Sequence, residues 1–225
     1  ARFITDGVPP AYGIFFAILA GFVAGCCTGV LYTKLKINSL LAGILMMTVL
    51  YSFNLRIMGK SNIQLLTVDT FLTPLETLPV NRFIPIIAFF LVVSFGVKIL
   101  TDLFMHTQLG FAMRATGDKE QMIRALGVNT DNTTILGLGI SNAFVALSGA
   151  LVAQDQGYAD LGMGIGMIVA GLASIIIGEA ILGKHTVQRM TLAALIGSFL
   201  YKEIISIGLR LGLAPTDLKL LQGSW

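Results

Sequence analysis

What most constrains this chain is the recurrence of long apolar runs. Residues 12–33, 37–58, 83–105, 135–153, 163–182 and 190–209 are each about twenty residues long, with no more than two charged side chains apiece. A helix of that length crosses the roughly 30 Å hydrocarbon core of a bilayer. In lipid the backbone has to satisfy its own hydrogen bonds, and runs of this length do so as helices. The expected fold is therefore all-α: a polytopic integral membrane protein with about six transmembrane helices whose outer faces meet lipid. Composition agrees, with 55% of residues hydrophobic and 12% charged, whereas a soluble domain is about one-quarter charged. So many runs of this length exclude a single signal peptide. The net charge of +3 gives no nucleic-acid signal. The two cysteines, Cys26 and Cys27, are adjacent inside an apolar run, which predicts packing residues and neither a disulfide framework nor a metal site.

Two runs carry small residues at four-residue spacing. Gly21, Gly25 and Gly29 mark the first, and Gly162, Gly166, Ala170, Ser174 and Gly178 mark the fifth. Such ridges let helices approach closely, which is how membrane helices associate without a hydrophobic driving force. Ionisable residues inside spans are costly and therefore informative. Lys98 and Asp102 lie four apart at the end of the third run and are expected to pair. Glu179 near the end of the fifth run, and Lys202 with Glu203 in the sixth, are candidates for a translocation path together with Asn54, or else are paired within a buried bundle. Between runs, Thr73, Pro74 and Glu76 predict a single helical turn. The connection 154–162 is acidic, with Asp155 and Asp160 and no Lys or Arg.

The polar island is the stretch 110–129, GFAMRATGDKEQMIRALGVN. Asp118 as N-cap, Gln121 three residues on and Gly127 as the terminating glycine predict a short helix over 119–126. Met122, Ile123 and Leu126 are expected to share one face, with Lys119, Glu120 and Arg124 pointing elsewhere. A two-turn helix is marginal alone, so it needs a surface to dock on. That surface belongs either to a partner protein or to the loop in which the turn sits.

Orientation follows from Lys and Arg in short loops. With the island in the cytoplasm, Lys34, Lys36, Arg114, Lys119, Arg124, Lys184 and Arg189 are inside, against Arg2, Lys60, Arg82, Arg210 and Lys219 outside. Catalysis has little support: His106 and His185 lie in separate loops, and there is no nucleophile elbow, metal-ligand spacing or phosphate loop. No enzyme activity and no cofactor are expected of this chain.

The run GFAMRATGDKEQMIRALGVNTDN, the helix ending LSGALVAQDQGYAD and the stretch MGIGMIVAGLASIIIGEAILG together resemble permease subunits of ABC importers of the branched-chain amino acid and ribose type. YTKLKINSLLAGILMMTVLYSFNLRIMGKSNIQLL is similar to the tryptophan/tyrosine-type subgroup. The resemblance covers nearly all of 1–225, read as one permease domain with a coupling segment at 110–129. It implies a bacterial inner-membrane, multi-pass subunit that pairs with a second permease copy. It also implies two cytoplasmic ATPase subunits, which hold ATP and Mg, and an extracytoplasmic solute-binding protein that delivers a small solute, with an aromatic amino acid as the leading guess. ATPase coupling would fall to Arg114, Asp118, Met122, Ile123, Arg124, Leu126 and Gly127, with Met122, Ile123 and Leu126 as buried knobs and the two arginines at the rim. Family members carry hydrophobic segments before and after this stretch, so the chain is expected to be trimmed at both ends. Two alternatives are an ion-coupled secondary transporter that uses Glu179, Lys202 and Glu203 as a relay, and a non-transporting membrane scaffold without a water-accessible path.

Overall fold

A computed structural model describes residues 2–5, 7–65, 70, 73, 83–164, 167–183 and 186–210. The elements in chain order are α1 (Arg2–Thr5), α2 (Pro10–Thr33), α3 (Ser39–Met58), β1 (Asn62–Gln64), α4 (Phe83–Met105), α5 (Gln108–Asp118), α6 (Glu120–Ala125), α7 (Thr130–Gln156), β2 (Tyr158–Asp160), α8 (Met167–Leu182) and α9 (Val187–Arg210). Five of these helices, α2, α3, α4, α7 and α9, are long and apolar enough to cross a membrane. Within them, hydroxyls such as Thr28, Thr48, Thr101 and Ser198 donate to the carbonyl four residues back, which satisfies them without water.

Contacts divide the chain into two compact units, Ala1–Ala88 with Thr107–Leu161 and Phe89–His106 with Gly162–Trp225. The first is built on the antiparallel pair α2 and α7. A Cβ on Gly21 would sit 2.5 Å from the Ala146 Cβ, one on Gly29 would sit 2.8 Å from the Ile135 Cα, and one on Gly25 would strike the Leu138 carbonyl. Gly139 answers from α7, its Cα facing Cys26 and Phe22 of α2. Close approach thus comes from missing side chains on both helices, and Cys26 fills the seam as a packing residue.

One end of this unit is closed by a two-stranded antiparallel ribbon, in which Asn62 pairs with Asp160, Ile63 with Ala159 and Gln64 with Tyr158. Gly59 and Gly157, both at left-handed φ, end α3 and α7 and turn the chain into the two strands. Ile4, Leu65 and Ala153 form a small core there, with Ala159 against it. The strand over 158–160 lies in the acidic connection, which carries no strand signal beyond a single tyrosine.

In the second unit α8 and α9 are antiparallel. Gly178 meets the Ala193 backbone, and Gly197 meets the Ser174 carbonyl and the Gly178 backbone. Lys98 Nζ and Asp102 Oδ2 of α4 are 2.5 Å apart, and Thr191 Oγ1 of α9 donates to Asp102 Oδ1 at 2.7 Å.

Several expectations need correction. The fifth span, expected over 163–182, begins at Met167 and has 16 residues; at about 24 Å it is shorter than the hydrocarbon core. Gly162 lies in a turn before it, and Gly166 is outside the described residues. Residues 161–164 form turns before it, in keeping with the poor helical propensity of glycine at 162 and 164. The fourth span is longer than 135–153, because Asn129 caps α7 by accepting from the Asp131 and Asn132 amides. Of the turn expected at Thr73, Thr73 itself is helical and Pro74 and Glu76 lie outside the described residues. The same holds for Arg82, Lys184, His185 and Lys219 of the loops and tail.

Candidate functional site

The polar island is helical over most of its length. Thr107 caps α5 by accepting from the Gly110 amide at 3.2 Å, and the helix then runs to Asp118. Asp118 is therefore the last residue of α5 and not an N-cap. The helix restarts after Lys119, whose extended backbone (φ −147, ψ 85) breaks the ladder, and no side chain caps α6. Gly117 does not interrupt α5, since one glycine costs a helix only about 1 kcal/mol.

The other end of α6 follows glycine geometry closely. Gly127 has φ 85. Its amide donates to the Arg124 carbonyl, and the Val128 amide donates to the Ile123 carbonyl, the paired bonds of a Schellman cap. This six-residue helix is far too short to persist by itself. It is fastened instead by side chains. Arg124 Nε donates to Thr130 Oγ1 at 2.8 Å, and Arg124 Nη2 donates to Asp131 Oδ1 at 2.8 Å and to Glu120 Oε1 at 3.0 Å. Thr130, which is buried, also donates to Glu120 Oε1 at 3.2 Å. Lys34, at the end of α2, donates to the other oxygen of Asp131 at 3.3 Å.

This network bears on two readings. Arg124 is engaged within its own chain while its side chain stays 59% exposed; it reaches Thr130 and Asp131, seven residues or fewer away, at the start of α7. Ile123 is buried at 9% exposure, while Met122 and Leu126 stand out at 59% and 69%. Adjacent helical residues point about 100° apart, so Ile123 faces the fold and the pair four apart faces away. Arg114 is exposed on α5.

An open cleft of about 750 Å³ lies beside α6, lined by Tyr32, Lys36, Met113, Glu120, Arg124 and Asp131 among others. Lys36 holds a left-handed φ of 53, unusual for a residue with a Cβ. A second cavity, about 380 Å³, sits at the ribbon end of the same unit and includes Asn54, Phe16, Met58 and Gln154 in its lining. Asn54 belongs to this first unit and Glu179, Lys202 and Glu203 to the second. Glu179 is half-buried, whereas Lys202 and Glu203 are exposed on α9.

The family model described as the branched-chain amino acid transport system permease component matches residues 2–221. The chain is 46% identical over 218 residues, 97% of its length and 71% of the relative's, to a tyrosine transport system permease protein of Clostridioides difficile. It is 36% identical over 227 residues, 99% of its length and 78% of the relative's, to an uncharacterized protein of Rickettsia prowazekii. It is 30% identical over 208 residues to the autoinducer 2 import system permease protein LsrC of Yersinia pseudotuberculosis, with 91% of this chain and 56% of the relative covered. No solved structure matches. A match over nearly the whole chain, on a fold of apolar helices joined by a short anchored polar helix, leads to one identification: this protein belongs to the branched-chain amino acid transport system permease family and is a multi-pass membrane permease subunit of an ATP-binding-cassette importer.

Proposed function

We propose that this permease imports an aromatic amino acid, with tyrosine the first to test, and that α6 is its coupling helix. Two copies of the chain would form the path. Two cytoplasmic ATPase subunits, holding ATP and Mg, would supply the hydrolysis, and an extracytoplasmic binding protein would deliver the solute. The observation that carries the coupling role is the pair Met122 and Leu126: two large apolar side chains exposed on a polar stretch outside the five long helices, on a helix otherwise fixed to its own chain. Exposed apolar pairs four residues apart on a rigid short helix suit insertion into a groove of a partner. The substrate class rests on the 46% identity to the tyrosine transport permease. Mechanistically, ATP-bound and nucleotide-free ATPase would differ in affinity for the outward-open and inward-open permease, and this difference drives alternation.

The test is Met122→Asp in the assembled importer. A charge on the docking face is expected to abolish solute-stimulated ATP hydrolysis while membrane insertion stays normal; unchanged uptake would overturn the assignment. For the substrate, proteoliposomes that hold the full importer should accumulate labelled tyrosine in competition with tryptophan. No uptake of either would remove the aromatic reading.

A further inference from the structure

We infer that Asp131 is the positioning residue through which movement of α6 reaches α2, an inference that rests on the coupling role proposed for α6. Among the described residues, Asp131 is the acceptor shared by both sides. Its Oδ1 takes Arg124 Nη2 of α6 at 2.8 Å and its Oδ2 takes Nζ of Lys34, the residue that caps the end of α2, at 3.3 Å, while its own amide is held by Asn129 Oδ1 at 3.1 Å. It opens α7, so three helices meet on one carboxylate.

The cleft beside α6 makes this matter. The end of α2, through Tyr32, Thr33 and Lys36, and the α5–α6 segment, through Met113, Glu120 and Arg124, line an open space of about 750 Å³. Across such a cleft the facing walls gain little from dispersion, since a gap of about 1 Å already forfeits up to about half of a contact's attraction. Across this cleft Asp131 with Lys34 joins α6 to the end of α2 directly, beside the path through Thr130 and the α2–α7 seam. Arg124 is tied within α6 through Glu120, and it reaches the start of α7 at two places, Thr130 and Asp131. From Asp131 the displacement has two routes: along α7, which is packed on the α2 glycine seam, and straight to the last turn of α2 through Lys34. The bond geometry gives Lys34 a function that its exposed position at 54% would not suggest.

The experiment uses the complete importer in proteoliposomes and measures ATP hydrolysed per solute imported, with and without loaded binding protein. Lys34→Gln removes one branch at an exposed site and is expected to leave assembly intact while it raises the ATP consumed per solute about two- to five-fold, the range that an exposed ion pair can supply. Lys34→Arg keeps the cation and should restore the wild-type ratio, which loss of fold would not do. Asp131→Asn removes the charge that both branches share and one of the two acceptor oxygens, and should shift the ratio further in the same direction. If the wild-type complex hydrolyses ATP without regard to solute, the coupling reading of α6 itself fails. If the wild type couples and Lys34→Gln keeps its ratio, the coupling reading stands and the role given to Asp131 is overturned.

Discussion

Glycine at 178 and 197 is demanded by space, not by backbone conformation. A Cβ at either position would run into the backbone of the facing helix, Ala193 in one case and Ser174 in the other. Backbone cannot step aside as a flexible side chain can, so Gly197→Ala is expected to spread α8 and α9 and to cost about 1–3 kcal/mol or more. Gly43 on α3 is the control: nothing lies within 4 Å of its Cβ position. There alanine is expected to be neutral or to stabilise the helix by up to about 1 kcal/mol. In detergent, the thermal unfolding midpoint should fall for Gly197→Ala and hold or rise for Gly43→Ala; equal shifts would mean the α8–α9 seam is looser than described. The four-residue spacing made Ser174 and Gly178 legible in the sequence. Gly139 and Gly197 were not, because a lone glycine on the answering helix has no period to read.

At the scale of the element, α6 shows what local signals can and cannot do. The stop at Gly127 was readable, since the left-handed position wants glycine. The start was not. Asp118 is a good capping residue, but Thr107 had already begun α5 about ten residues earlier, and a nucleated helix propagates at little cost. The face was misread for a similar reason: Met122, Ile123 and Leu126 are all apolar, and only the anchoring of Arg124 on Thr130 and Asp131 decides which of them turns inward. If that anchoring holds α6, Arg124→Ala should release it. Hydrogen exchange of the amides over 120–126 is then expected to speed up at least about ten-fold, with the spans unchanged, because each tenfold corresponds to about 1.4 kcal/mol of lost local stability. Unchanged protection would show that Ile123 alone holds the helix.

At the scale of the molecule, the long helices leave much apolar surface uncovered by their own chain: no residue of the α4 span window is buried, and few are in α3. Lipid and other subunits are the natural cover for such faces. The orientation expected from the positive-inside rule would put the α6 end of the first unit, with Lys34, Lys36, Arg114, Lys119 and Arg124, in the cytoplasm and the ribbon with Asp160 outside. In a chain whose Cys26 and Cys27 are replaced by alanine, an impermeant thiol reagent added outside intact cells should label Tyr158→Cys and spare Lys119→Cys; the reverse pattern would invert the orientation. Uptake should require ATP and survive a protonophore. Collapse of uptake with the protonophore would restore the relay reading of Glu179, Lys202 and Glu203.

Apolar runs of helical length leave one solution in lipid, so the sequence alone determined an all-α membrane protein, most of the span positions and a short polar helix between spans ended by Gly127. Backbone hydrogen bonding and periodicity are local, and local rules reach that far. What the tertiary structure decided is non-local: that the Gly21, Gly25 and Gly29 ridge lies on α7, that the acidic connection pairs with 62–64 as a strand, and that Ile123 is buried while Arg124 bonds Asp131 and Met122 and Leu126 are left exposed. Each depends on a partner distant in space or on the other side of a helix end, and no spacing along the chain encodes which partner that will be.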